Sequence, residues 1–232
     1  MITLGLDTST MRTSVGLAYD NEEIASFEIT SSVNNSEDLV DMVDDIFNKL
    51  KITISDVDLI GVGIGPGSYT GTRIAVTVAR TLAQALNKEI KAVSSLKSLA
   101  LNYQGDRRVL SLVDARRNRA YYGLYKNSEG IPVDLSCDGV EEVESLRNRL
   151  KGERLLLLGT GADKFKDFFA EEADVATIPD RYIKGSNIAR LAYLEYKRTG
   201  GDNLLEVLPN YVTKSQAERE LEKKEAGLNE VD

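Results

Sequence analysis

Ile2-Thr3-Leu4-Gly5-Leu6-Asp7 is a short apolar run that stops on a carboxylate. Val109-Leu110-Ser111-Leu112-Val113-Asp114 has the same form, with its Asp 107 residues further on. An apolar run of this length, bounded by a polar turn, reads as a buried strand. After Asp7, the segment Arg12 to Tyr19 alternates, Asp20-Asn21 makes a turn, and Ile24 to Ile29 resumes strand character. That is a three-stranded meander. Setting Asp7 over Asp114 places Arg12 on Arg119, Gly16 on Gly123, Leu17 on Leu124, Glu22 on Glu129 and Ile24 on Ile131, without a gap. Further on, Ile64-Gly65-Pro66-Gly67 has a counterpart in Leu158-Gly159-Thr160-Gly161, each between an apolar strand and a helix. Hairpin, helix, strand and glycine loop recur in the same order, which indicates an internal duplication of a βββαβα unit. The expected fold is α/β, with two lobes that each carry a mixed sheet and flanking helices. Residues 1–104 form the first lobe, 105–213 the second and 214–232 a charged tail. Asp7 should superpose on Asp114, and Gly65 on Gly159.

The intervening segments fit this plan. Ser36 reads as an N-cap, with Glu37 and Asp38 in the favourable first turn. Leu39, Met42, Val43, Ile46 and Leu50 follow at helical spacing, so 36–50 is an amphipathic helix. A strand over 59–64 leads into the loop Gly63 to Gly71, and a helix over 72–86 follows. That helix is apolar nearly all round, so it is covered on two sides, either by its own chain or by another subunit. The spacing further predicts a strand at 90–93, helices at 95–103, 138–150 and 162–169, and a strand at 155–158. A helix over 186–197 ends at Gly200-Gly201.

Composition excludes much chemistry. The chain has 232 residues and no His, so it holds no His-based triad and no His-ligated metal. A single Cys allows no intrachain disulfide, which fits a reducing compartment. With 29 basic against 37 acidic side chains the net charge is −8, unlike a protein that grips nucleic acid alone. A local basic patch stands out at Arg116, Arg117 and Arg119. No apolar run is long enough to span a bilayer, and Met1-Ile2-Thr3-Leu4 lacks the basic region of a signal peptide. A cytoplasmic location without membrane contact is expected.

Two lobes that each open strand-Asp-turn-strand resemble the actin, Hsp70 and sugar-kinase superfamily, where the hairpins face each other across a nucleotide cleft. On that plan Asp7, Thr8, Ser9, Gly65, Gly67, Ser68, Gly71, Asp114, Gly159 and Gly161 are the candidate nucleotide or anion site. Carboxylates at strand ends suit hydrated Mg²⁺, and a loop at a helix N-terminus suits an anion. The loop lacks the Gly-Lys-Ser/Thr of a Walker A motif. Two bland readings stand beside this one. The loop is a tight turn that needs positive φ, and the carboxylates cap backbone N–H groups of their own turns. Ser9 and Ser68 are hydroxyls without a candidate base.

Three stretches narrow the resemblance. Leu6-Asp7-Thr8-Ser9, Gly65-Pro66-Gly67-Ser68-Tyr69-Thr70-Gly71-Thr72-Arg73-Ile74 and Val113-Asp114-Ala115-Arg116 resemble the TsaB (YeaZ) family, as does Pro209-Asn210-Tyr211-Val212 near the end. The match runs from residue 1 to about 220. The resemblance implies a role in making threonylcarbamoyladenosine (t6A) at position 37 of tRNA. It implies a non-catalytic subunit similar to the catalytic protein TsaD, whose metal is held by paired histidines in the first helix. The matching stretch here, Asn34-Asn35-Ser36-Glu37-Asp38-Leu39, has none, and the old glycoprotease label of the family has no chemical support. Implied partners are a TsaD-like catalytic subunit, a TsaE-like ATPase and a second copy of the chain. Contact with tRNA comes only through the complex. No cofactor is required, beyond weak nucleotide binding at the interface of the complex. The helices of the first lobe should carry the contact, through a shared exposed strip of Leu39, Met42, Val43, Ile46, Ile74, Val78 and Leu82. The rival is a small ATP-dependent phosphotransferase of the sugar- or acetate-kinase type; an actin-like filament protein would need longer insertions.

Overall fold

The computed structural model describes residues 1–30, 35–171 and 173–212, with side chains of the first helix described from Asp38 onward. α1 begins at Asn35, so Ser36, expected as the N-cap, falls inside the helix instead, and the tail 214–232 lies outside the described residues. The first sheet comprises β1 (Ile2–Asp7), β2 (Arg12–Tyr19), β3 (Glu22–Thr30), β4 (Leu59–Gly63) and β5 (Glu89–Val93), in the order β3-β2-β1-β4-β5. The helices α1 (Asn35–Leu50), α2 (Tyr69–Leu86) and α3 (Ser95–Ala100) belong to the same half of the chain. The second half contributes β6 (Arg108–Asp114), β7 (Arg119–Ser128), β8 (Ile131–Asp134), β9 (Gly139–Glu142), α4 (Val143–Arg149), β10 (Leu155–Leu158), α5 (Gly161–Phe165), β11 (Ala173–Val175) and α6 (Gly185–Thr199). Its sheet runs β11-β10-β6-β7-β8, with β9 also on β7.

The two sheets share one topology. In each, the first strand pairs antiparallel with the second and parallel with the strand that leads into the glycine loop, β4 in the first sheet and β10 in the second. The duplication therefore holds, but its register corrects the gapless alignment. Gly5 pairs with Gly16, whereas Gly123 pairs with Ser111. If Gly16 matches Gly123, then Gly5 matches Ser111, and the first strands are offset by one residue less than the Asp pair requires. A one-residue slip turns every side chain to the other face. The packing agrees. Leu4 and Leu6 face α1 and α2, and Leu110 and Leu112 face α4 and α5. Asp7 and Asp114 consequently point to opposite faces of their sheets. The second glycine pair also fails to match. Gly159 lies against Leu112, the counterpart of Leu6, and Leu6 pairs with Val62, three residues ahead of Gly65. β10 leaves its sheet earlier than β4 does.

The halves exchange helices. α6 lies across β1, β2 and β4 of the first sheet, while α3 packs on β6 and β7 of the second. The spatial lobes thus do not follow the 1–104 and 105–213 division at these two helices. Glycine makes the α6 contact close. A Cβ on Gly16 would stand 2.0 Å from the Ser186 backbone N, and one on Gly5 2.2 Å from the Gly185 carbonyl oxygen. Carboxylate and hydroxyl groups of β3 cap this helix from outside: Ser186 N–H donates to Ser26 Oγ at 3.1 Å and Ser186 Oγ to Glu23 at 2.5 Å.

Residues 138–150, expected as one helix, divide into β9 and α4. β8 covers only the far part of β7, so Arg119 to Tyr122 would have an open edge, and β9 fills it. The β5 edge is covered by the chain after α6: Asp202 N–H donates to Ile90 O and accepts Ala92 N–H through Oδ2, both at 2.8 Å.

Candidate functional site: the glycine loop and the outer face of helix 69–86

Asp7 is fully buried at the end of β1. Its Oδ1 accepts the Ser9 N–H and the Ser9 hydroxyl, both at 2.8 Å, and its Oδ2 accepts the Ser95 hydroxyl at 2.5 Å. Ser95 Oγ in turn accepts Gly65 N–H at 2.9 Å. Burial pushes the Asp7 carboxyl above its ordinary range, and the bonds from Ser95 and Ser9 oppose that rise. Thr8 Oγ1 donates to Gly71 O at 2.6 Å and accepts Ala75 N–H at 3.2 Å. Ser68 N–H donates to Ser9 O at 2.6 Å, and Ser68 Oγ caps α2 by accepting Gly71 N–H at 3.2 Å.

Hairpin turn and glycine loop thus close on each other. A Cβ on Gly67 would come within 2.2 Å of Ser9 O, and one on Gly71 within 1.9 Å of Thr8 O. Gly65 sits at φ +88°, where glycine is favoured. The structure brings Asp7, Thr8, Ser9, Gly65, Gly67, Ser68 and Gly71 into one plug. In it, the N–H groups of Gly65, Ser68 and Gly71 bond to the chain's own oxygens.

The second-lobe candidates are elsewhere. Asp114 accepts Arg116 N–H at 2.9 Å and Lys164 Nζ at 2.6 Å, and Gly159 and Gly161 pack on Leu112. The two carboxylates share no partner, contrary to the expectation that they face one ligand. Among the described residues no cluster of three or more His, Cys, Asp or Glu side chains is placed to hold a metal ion, and no helix is long and apolar enough to cross a membrane. A cavity of about 330 Å³ between β5, α3 and α6 is lined by charges that neutralise one another, Lys91 with Asp202 at 2.6 Å and Lys97 with Asp134 at 2.7 Å.

The expected apolar strip divides in two. Leu39, Met42, Val43 and Ile46 are buried in the core of the first lobe, so their expected exposure is corrected. The sheet beneath α1 uses the whole stripe, through Val15 and Leu17 among others. Ile74, Val78 and Leu82, by contrast, form a half-buried row along α2, continued by Leu86. Val40 on the adjacent α1 is 54% exposed.

One cluster escaped the sequence reading. The Tyr69 and Tyr211 rings stack at 4.8 Å, and the Arg73 guanidinium lies 4.0 Å over Tyr69. Arg73 Nε donates to Tyr211 Oη at 2.6 Å. Asn210 N–H donates to Ile64 O at 2.8 Å, which ties the segment Pro209-Asn210-Tyr211 to the glycine loop. Both stretches carry motifs, but nothing in one dimension joins residues 138 positions apart.

Fold and site define an α/β protein of two sheets that share one topology, whose glycine loop is sealed onto its first hairpin. Residues 30–221 match the family model described as "TsaD: tRNA N6-adenosine threonylcarbamoyltransferase". A Bacillus subtilis protein named tRNA threonylcarbamoyladenosine biosynthesis protein TsaB is 30% identical, over 94% of this chain and 96% of its own length. An Escherichia coli protein of the same name is 32% identical over 72% and 75%. The solved structure of YeaZ from Pseudomonas aeruginosa, 29% identical, aligns with a TM-score of 0.76 over 90% of this chain and 99% of its own. The chain belongs to the TsaB family.

Proposed function

We propose that the chain is a non-catalytic scaffold in the threonylcarbamoylation of tRNA adenosine 37, acting by binding a TsaD-like catalytic subunit together with a TsaE-like ATPase. The names carried by its relatives in Bacillus and Escherichia support the pathway. One observation supports the mode of action: the row Ile74, Val78, Leu82 and Leu86 on α2 packs against the core yet stays only half-buried, which leaves part of each apolar side chain on the surface. Isolated apolar side chains need no explanation, but a continuous row marks a contact surface. A second copy occupies this row when the chain is alone, and the catalytic subunit replaces that copy, so the two assemblies exclude each other. A stable contact of this kind buries about 1,600 Å² in total.

The sealed plug bears on chemistry. Asp7 has no exposed oxygen to offer a hydrated metal, and no serine of the loop has a base beside it. On this proposal the chain requires no cofactor of its own, and a nucleotide binds weakly, at the junction with the partner. Size-exclusion chromatography with light scattering, with and without a TsaD-like protein, tests the scaffold. Ile74→Glu should leave a folded monomer that captures no partner. A folded Ile74→Glu variant that still dimerises and still captures the partner would place the contact elsewhere. Steady ATP turnover by the wild-type chain alone, abolished by Asp7→Asn, would favour the phosphotransferase instead.

A further inference from the structure

The β6–β7 turn concentrates basic charge in a protein of net charge −8. Arg116, Arg117 and Asn118 stand in succession at φ +64°, +52° and +54°. Left-handed backbone is strained for a residue with a Cβ, and such residues occur singly as a rule. The turn is held in this shape from within. Asp114 Oδ1 accepts Arg116 N–H at 2.9 Å, Arg119 N–H donates to Arg116 O at 3.1 Å, and Val143 N–H donates to Asn118 O at 2.9 Å. The tip residues Arg116, Arg117 and Asn118 are exposed. The nearest carboxylate in sequence, Asp114, is taken by Lys164 at 2.6 Å. Arg119 stands across from Glu142 in the β7–β9 register, yet among the described residues none of the three arginines has a carboxylate within ion-pair distance. The N–H groups of Arg117 and Asn118 also have no acceptor among the described residues.

We infer that this turn is a contact for the phosphate backbone of the RNA substrate, an inference that rests on the proposed function. Guanidinium forks match phosphate oxygens bidentately, and free backbone N–H groups add donors that carry no base preference. Other faces carry acidic runs, as the exposed Asp41, Asp44 and Asp45 on α1 illustrate. A basic turn on a chain of net charge −8 orients a polyanion without holding it tightly. The contact therefore appears in the affinity of the assembled complex for tRNA and adds nothing to partner binding.

The double variant Arg116→Gly/Arg117→Gly separates charge from fold, because glycine relieves the left-handed backbone while both cations go. Its melting temperature should equal or exceed that of the wild type. In the reconstituted modification reaction with tRNA varied, KM for tRNA should rise about tenfold at low salt with kcat unchanged. The log–log salt slope should shrink by about two, one for each phosphate that is no longer neutralised. Lys126→Ala/Lys151→Ala removes the same charge from other exposed positions and should leave KM unchanged. A folded double variant with wild-type KM and salt slope would overturn the inference, as would loss of partner capture by that variant, which would make the turn a protein contact. Failure of the wild-type chain itself to stimulate modification would instead sink the proposed function and this inference with it.

Discussion

Ser95 shows how a single hydroxyl can join three segments. It donates to Asp7 Oδ2 and accepts Gly65 N–H, and it opens α3, which packs on the other lobe. Asp7 is buried with its carboxyl held above the ordinary range, chiefly by desolvation. Its unfolded value is about 3.9, so the native state binds more protons between that value and the raised one. Stability from this group is present at low pH and is lost as pH rises through the raised value. Ser95→Ala withdraws a donor from the charged form only, so it raises the carboxyl further. The variant should lose about 1–3 kcal/mol at pH 7, and the loss should be smaller at pH 4, where Asp7 is more protonated than at pH 7. Urea unfolding at the two pH values measures this; an equal loss at both would mean Asp7 is not the partner that matters. The Asp was legible in the sequence because it ends an apolar run. Its burial was not, because Ser95 lies 88 residues away and looks like any helix cap.

At the scale of elements, periodicity revealed which residues of α1 act together but not what they face. A stripe at helical spacing meets the chain's own sheet first, and only what remains is available to a partner. Met42, 3% exposed, is therefore a poor interface probe. Met42→Lys places a charge in the core and should cost about 3 kcal/mol or more, lowering Tm by roughly 10 °C. Ile74→Glu should keep a near-wild-type melting curve, and a collapse of that curve would put Ile74 in the core as well. The α6 platform offers a second test. Gly16→Ala drives a Cβ to 2.0 Å from backbone, whereas at Gly152, in an exposed turn at φ +85°, nothing lies within 4 Å. The first should cost about 3 kcal/mol or more and the second about 1 kcal/mol. Denaturant midpoints that reverse this order would contradict the close packing of α6 on β1 and β2. The gapless alignment erred for a related reason. The second hairpin closes over 115–119 and the first over 8–13, and a turn shortened by one residue leaves identities on one side of it in place while shifting the other.

At the scale of the molecule, the duplication was legible because a repeated strand-turn-strand unit leaves its trace twice in one chain. The exchange of α3 and α6 between lobes was not, since each helix is amphipathic wherever it docks. In the proposed scaffold, α2 is the contact element, with its half-buried apolar row and the Tyr69–Arg73–Tyr211 clasp at one end. The central claim is that this scaffold serves a modification reaction by contact alone. Its most direct measurement is t6A formation on unmodified tRNA by a TsaD-like protein and a TsaE-like ATPase, with threonylcarbamoyl donor supplied. The wild-type chain, folded Ile74→Glu, or no added chain completes the mixture. The account predicts modification with the wild-type chain, and background levels both without it and with Ile74→Glu. Equal modification in all three would contradict it.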